Sequence, residues 1–154
     1  MKKPLTTGST VPNLKSECDL HGKVNLLELA EDSTIVLYFY PKDNTSGCTK
    51  QAQAFQENYS KFKKKKTVIV GVSPDSIESH KKFREKYDLE FYLLSDPEKV
   101  LAEAFGVWKE KSLYGRKYMG IERSTFLIKD GKITKEWRKG KVADHVEEIL
   151  EGLF

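Results

Sequence analysis

Two short runs constrain this chain more than anything else in it: Thr34–Tyr40 (TIVLYFY) and Thr67–Val72 (TVIVGV). Both are β-branched, the first also aromatic, and both are apolar at consecutive rather than alternate positions. Such a run fits a strand buried on both faces of a sheet. Between them lies a stretch with the other period. Ala52, Phe55, Tyr59 and Phe62 recur at spacings of three and four, the apolar stripe of an amphipathic helix over roughly residues 47–64. Strands alternating with helices are the signature of an α/β fold. The length of 154 residues suits a single domain over 1–154.

The flanking sequence extends the alternation. Leu14–Leu20 and Lys23–Leu27 bracket His21-Gly22 and predict an N-terminal hairpin. Ser73-Pro74-Asp75-Ser76 supplies cap residues and an early-turn proline for a helix to about Tyr87. Asp96-Pro97 does the same for a helix ending near Gly106, with the short strand Phe91–Leu94 between them. Arg123–Ile128 and Lys132–Trp137 form a hairpin over Lys129-Asp130-Gly131. Residues 143–154 end the chain as a helix with Val146, Ile149, Leu150 and Leu153 on one face. The expected order is ββ-β-α-β-α-β-α-β-β-α, and Trp108–Gly120, which lacks a clear period, reads as a surface loop beside a site.

Charge narrows the function classes. The net charge is +4, and the run Lys61, Lys63, Lys64, Lys65, Lys66 accounts for much of the surplus. That run closes a helix, where cations complement the dipole. Without interleaved aromatics or a second basic stretch it predicts a solvated face, not a nucleic-acid surface. No segment approaches the ~18 consecutive apolar residues of a membrane span. No apolar h-region follows the basic N-terminus, so a cytoplasmic location is expected. His21, His80 and His145 are scattered, without a zinc-binding pattern. His21 punctuates a turn, and His80 and His145 are expected on solvated helix faces. No glycine-rich loop resembles a phosphate cradle, so no metal and no cofactor are expected.

Two cysteines make no disulfide framework, and their spacing makes no C-x-x-C pair. Cys48 follows a buried strand and a loop of Pro, Lys, Asp, Asn, Thr, Ser and Gly, and falls in the first turn of the next helix. Unpaired N–H groups and the positive end of the dipole favour a thiolate there. Thr45 is placed to turn its hydroxyl toward the sulfur or an incoming oxygen. Pro41 walls the site without offering a competing N–H. The alternative for Cys48 is a small side chain filling a helix–sheet contact. Cys18, in the N-terminal hairpin, reads as packing.

Pro41-x-x-x-Thr45-x-x-Cys48 matches the P-x-x-x-T-x-x-C signature of peroxiredoxins. The text Tyr38–Thr49 (YFYPKDNTSGCT) resembles the peroxiredoxin Q branch, the bacterioferritin comigratory proteins. Gly71–Ser76, Ser79–Phe83, Leu93–Asp96, Phe105–Trp108 and Gly120–Ile128 continue the likeness in order. The resemblance implies a thioredoxin-like fold, with a central mixed sheet flanked by helices and an N-terminal β-hairpin extension. It also implies a thiol-dependent peroxidase reducing hydrogen peroxide and organic hydroperoxides through a sulfenic acid. The attacking cysteine carries over to Cys48, the hydroxyl and proline to Thr45 and Pro41, and the active-site arginine to Arg123.

The likeness breaks at one position. Many members of the branch carry a resolving cysteine five residues after the first, where this chain has Gln53. An i,i+5 pair on an intact helix spans roughly 7.5–8.5 Å between Cα atoms, beyond the ~7 Å reach of a disulfide. A resolving residue there demands unwinding, and Gln53 removes both the bond and the demand. Either Cys18 resolves the sulfenic acid, or an external thiol (thioredoxin, glutaredoxin or glutathione) attacks it directly, which is the favoured route. The expected state is a monomer or weak dimer. Two rival readings are a thioredoxin-like disulfide oxidoreductase, disfavoured because Thr45 stands where a dithiol needs its first cysteine, and a non-enzymatic holdase or binding protein.

Overall fold

The computed structural model describes residues 5–19, 22–138 and 145–151. A seven-stranded mixed sheet forms the body. Its centre is β3 (Thr34–Phe39), β4 (Thr67–Ser73) and β5 (Tyr92–Ser95), paired in parallel. On one side β8 (Ser124–Lys129) and β9 (Lys132–Arg138) continue the sheet antiparallel. On the other, β1 (Lys15–Cys18) and β2 (Gly22–Asn25) form the N-terminal hairpin, with β1 antiparallel to β5. The central runs are the two apolar sequences, and their consecutive apolar residues are buried because helices cover both faces.

One face carries Ile35, Leu37, Phe39, Val70, Val72, Leu94, Phe126 and Ile128. It packs against α1 (Leu26–Asp32) and α5 (Val100–Ala104) through Leu26, Ala30, Leu101 and Ala102. The other face carries Val36, Tyr38, Tyr40, Ile69, Leu93 and Leu127. It lies under α2 (Ser46–Glu57), α3 (Tyr59–Lys64), α4 (Ile77–Tyr87) and α6 (His145–Glu151) through residues such as Ala52, Phe55, Phe62, Phe83 and Ile149. Gly71 matters on this face. A Cβ there would sit 2.9 Å from Cζ of Tyr38, so the glycine leaves the hollow in which that ring lies. Tyr38 then stacks under Phe55 of α2 with centroids 4.5 Å apart.

The structure departs from the sequence expectation in three elements. The expected strand Lys23–Leu27 ends at Asn25, because the Asn25 side chain accepts from the Glu28 N–H at 3.2 Å and caps α1 instead. The helix expected over 47–64 divides at Asn58, whose side-chain amide donates to the Ala54 carbonyl at 2.8 Å, beside its own backbone N–H at 3.3 Å. The competition for one carbonyl separates α2 from α3. Trp108–Gly120 is not a loop. It belongs to a separate antiparallel ribbon of β6 (Trp108–Leu113) and β7 (Arg116–Ile121), turned at Tyr114-Gly115 with both φ positive. Most of its residues are exposed on both faces, so no alternation marked it. Turn residue His21 and Leu153 of the terminal helix lie outside the described residues.

Candidate active site

The site forms where β3 gives way to α2. The Tyr40 N–H still bonds the Val72 carbonyl at 3.0 Å, and residues 41–45 then cross to the helix. Thr45 is the N-cap, with extended φ and ψ, and its carbonyl accepts from the Thr49 N–H at 2.8 Å. Its hydroxyl does not turn to the sulfur. It donates to the Lys42 carbonyl at 3.0 Å from an exposed position. Pro41 is half-buried beside it.

Cys48 is the third residue of α2 and only 2% exposed. Arg123 comes from the opposite direction in sequence. Because Ser124 of β8 pairs with Phe39 of β3, the residue before Ser124 stands beside the strand end from which the loop departs. Its guanidinium forks there. Nη2 lies 3.3 Å from Cys48 Sγ, and Nη1 donates to Gln51 Oε1 at 2.5 Å. Among the described residues Arg123 has no carboxylate partner, so its charge is directed at the sulfur.

Sequence reasoning missed Gln51. It is fully buried, one helical turn from Cys48 on the core-facing stripe, and its Nε2 has no partner among the described residues. The available signal was its place in that stripe, between Cys48 and Phe55. The hydroxyl of Tyr38 is likewise buried without a hydrogen bond among the described residues. Burial, then the charges of Cys48 and Asp43, hold its pKa well above the ordinary tyrosine value, so it is a neutral phenol.

His80 corrects a second expectation. It is not solvated but 0% exposed, since it shares a face of α4 with Phe83. Its Nδ1 lies 2.6 Å from Oδ2 of Asp43, itself buried in the loop. His145 lies on α6, as expected of a helical position.

The structure does not bring Cys18 to this site. Cys18 is 4% exposed and belongs to the opposite face of the sheet from Cys48. Its thiol donates to Asp19 Oδ1 at 3.7 Å, and Asp19 is bound by Arg84 through Nε at 2.6 Å and Nη2 at 2.9 Å. Gln53, at the position of the branch's resolving cysteine, is exposed on α2. No helix among the described residues is long and apolar enough to cross a membrane.

Residues 7–136 match the AhpC/TSA family. The chain belongs to this family. Within the AhpC/TSA proteins it is a peroxiredoxin of the Q branch, a thiol peroxidase. It is 54% identical over 147 residues to peroxiredoxin Bcp of Bacillus subtilis, covering 95% of this chain and 93% of that one. It is 38% identical over 151 residues to peroxiredoxin Bcp of Escherichia coli, covering 97% and 96%. Among solved structures it superimposes on a Cys-to-Ser mutant of Xylella fastidiosa PrxQ with a TM-score of 0.92 at 36% identity, covering 99% and 97%. The Xanthomonas campestris bacterioferritin comigratory protein, described for its alkyl peroxide reduction activity, matches with a TM-score of 0.89 at 38% identity, covering 96% and 97%. The peroxiredoxin fold, with its N-terminal strands on a mixed sheet flanked by helices, is the one expected from the sequence. A peroxidase of this kind consumes a peroxide and a thiol reductant.

Proposed function

We propose that Cys48 is the attacking thiol, that Arg123 holds it as a thiolate, and that the substrates are hydrogen peroxide and organic hydroperoxides. The single observation that carries this is the Arg123 guanidinium 3.3 Å from the Cys48 sulfur. The thiolate attacks one peroxide oxygen in line, forming the S–O bond as the O–O bond breaks. The departing oxygen takes a proton and leaves as water or alcohol, and the sulfur becomes a sulfenic acid. Charge moves from sulfur to the departing oxygen. Arg123, fixed in direction by Gln51, and the unpaired N–H groups at the start of α2 stabilise that movement without reorganising. Thr45, whose hydroxyl donates its hydrogen bond to the Lys42 carbonyl, offers its lone pairs to the O–H of the incoming peroxide. Pro41 closes one wall.

Resolution is by an external thiol: thioredoxin, glutaredoxin or glutathione. The sheet standing between Cys18 and Cys48, and a glutamine at position 53, support that route over an internal disulfide. The external thiol displaces water to give a mixed disulfide, and a second thiol releases Cys48. The whole chain, 1–154, acts as one peroxiredoxin domain, a monomer or weak dimer in the reducing cytoplasm. The deciding assay is peroxide consumption with dithiothreitol. Cys48→Ser is expected to fall to background while Cys18→Ser keeps the wild-type rate. Full turnover by Cys48→Ser would refute the assignment, and an intramolecular Cys18–Cys48 crosslink mapped by mass spectrometry would refute the external route.

A further inference from the structure

The loop that ends at Thr45 determines where α2 and Cys48 begin. Its central residue, Asp43, is buried and accepts from the Tyr40 hydroxyl at 2.6 Å and the Ser79 hydroxyl at 2.8 Å, with His80 Nδ1 at 2.6 Å. The Asp43 N–H donates to Asp75 Oδ2 at 2.8 Å, and that oxygen also accepts from the Ser73 hydroxyl at 2.7 Å. The next loop residue, Asn44, holds φ +59 and accepts from the Tyr87 hydroxyl at 3.0 Å and Lys86 Nζ at 3.3 Å. The loop is therefore tied to α4 and to the turn preceding it.

The chemistry of His80 makes this tie conditional. Its Nε2 faces the Leu94 carbonyl at 2.9 Å, and a carbonyl only accepts, so that nitrogen carries hydrogen. Its Nδ1 faces a carboxylate oxygen, also an acceptor unless protonated. One proton therefore sits between Asp43 and His80, and an imidazolium–carboxylate pair is the arrangement that satisfies both nitrogens. The other charged or titratable groups around it are Asp75 before α4, Asp19 after β1, Tyr40 just after β3, and Arg84 one turn along α4, already bound to Asp19. Burial pulls the His80 pKa down, but the hydrogen bond and charge of Asp43, the Leu94 carbonyl and the charge of Asp75 carry it above the ordinary histidine value.

We propose that the buried Asp43–His80 pair is a positioning element of the peroxidase, fixing the loop and hence Cys48 only while it holds its shared proton. Loss of that proton sets a carboxylate against an imidazole lone pair in a dry site. The loop then loses its His80 anchor to α4. A thiolate requirement alone gives a rate that rises with pH and levels. The pair adds a fall beyond.

The inference rests on Cys48 as the attacking thiol, and its test follows the first step alone. The second-order rate of Cys48 oxidation by hydrogen peroxide is read as loss of alkylatable Cys48, mapped by mass spectrometry, between about pH 6 and about pH 9.5. The wild type is expected to lose about ten-fold or more of its rate on the alkaline side, with its circular dichroism unchanged. In Asp43→Asn the amide donates to the unprotonated Nδ1, so no shared proton is needed and the fall disappears whatever the plateau. His80→Gln, which does not titrate, also lacks it. Nitrogen-15 NMR of labelled histidine in the wild type should show both His80 nitrogens protonated at neutral pH, titrating above the ordinary value of about 6.5. A level alkaline profile in the wild type, the same fall in both variants, or a His80 neutral throughout would each overturn the proposal. The wild-type profile and spectrum decide it even where a variant fails to fold. Unabated peroxide consumption by Cys48→Ser would instead break the underlying reading, so the two failures are distinguishable.

Discussion

The two cysteines sit in environments that match in inventory and differ in arrangement. Each is buried, and each has an arginine close by. At Cys48 the guanidinium touches the sulfur itself, and its second amino group goes to a neutral amide. At Cys18 the arginine is spent on Asp19, and the sulfur touches the carboxylate. The Cys48 sulfur faces a cation and the Cys18 sulfur an anion. Backbone reinforces the contrast: Cys48 stands at the positive end of a helix, Cys18 at the end of a strand with no such field. Burial and a nearby arginine therefore do not by themselves distinguish the two thiols. What counts is which group the sulfur itself contacts.

That contrast can be broken by experiment, beginning where the effect is greatest. Cys48→Ser should lose peroxide consumption entirely and Cys18→Ser none of it, read by peroxide loss with dithiothreitol. Arg123→Lys keeps the charge but not the fork, and the rate of Cys48 oxidation should fall about a hundredfold. An undiminished rate would show that the guanidinium geometry is irrelevant. On the other side, Asp19→Asn leaves Arg84 buried without its counter-charge. Unfolding in urea should report a loss of about 3 kcal/mol, while peroxidase activity at low denaturant is retained. That pair also has a signed pH dependence. Burial pushes the Asp19 pKa up, but Arg84 and the Cys18 thiol bring it below the ordinary aspartate value. Its stabilisation is therefore present above the unfolded value of about 3.9 and lost as the pH falls through the folded one. An acid-denaturation midpoint unmoved in Asp19→Asn would contradict this. The mildest change is Gln51→Leu, which frees the guanidinium to swing. About a tenfold slower oxidation with an unchanged melting temperature is expected, and a wild-type rate would remove Gln51 from the site.

The centre of the sheet was legible because β3 and β4 are apolar at consecutive positions, a pattern few other structures tolerate. Cys48 was legible because the loop composition and the helical stripe locate it at a helix start without any tertiary knowledge. Gln51, Asp43 and His80 were not, and for a common reason. Each is a polar residue buried against the general tendency of its type, and the charged partner that makes burial tolerable is remote in sequence, 37 residues between Asp43 and His80 and 72 between Gln51 and Arg123. Nothing local distinguishes His80 from a solvated helical histidine except that Phe83 shares its face. The ribbon of β6 and β7 escaped for the opposite reason, having too little burial to imprint an alternation.

One consequence runs from Gly71. The missing side chain is a recess in the sheet surface, and the aromatic ring of Tyr38 lying in it serves as the shim on which Phe55, two turns beyond Cys48, rests. Adding a methyl group at 71 would lift that shim and push Phe55, and α2 with it, away from the sheet. The clearance between the Cys48 sulfur and the Arg123 guanidinium is thus machined, in part, by a residue that touches neither.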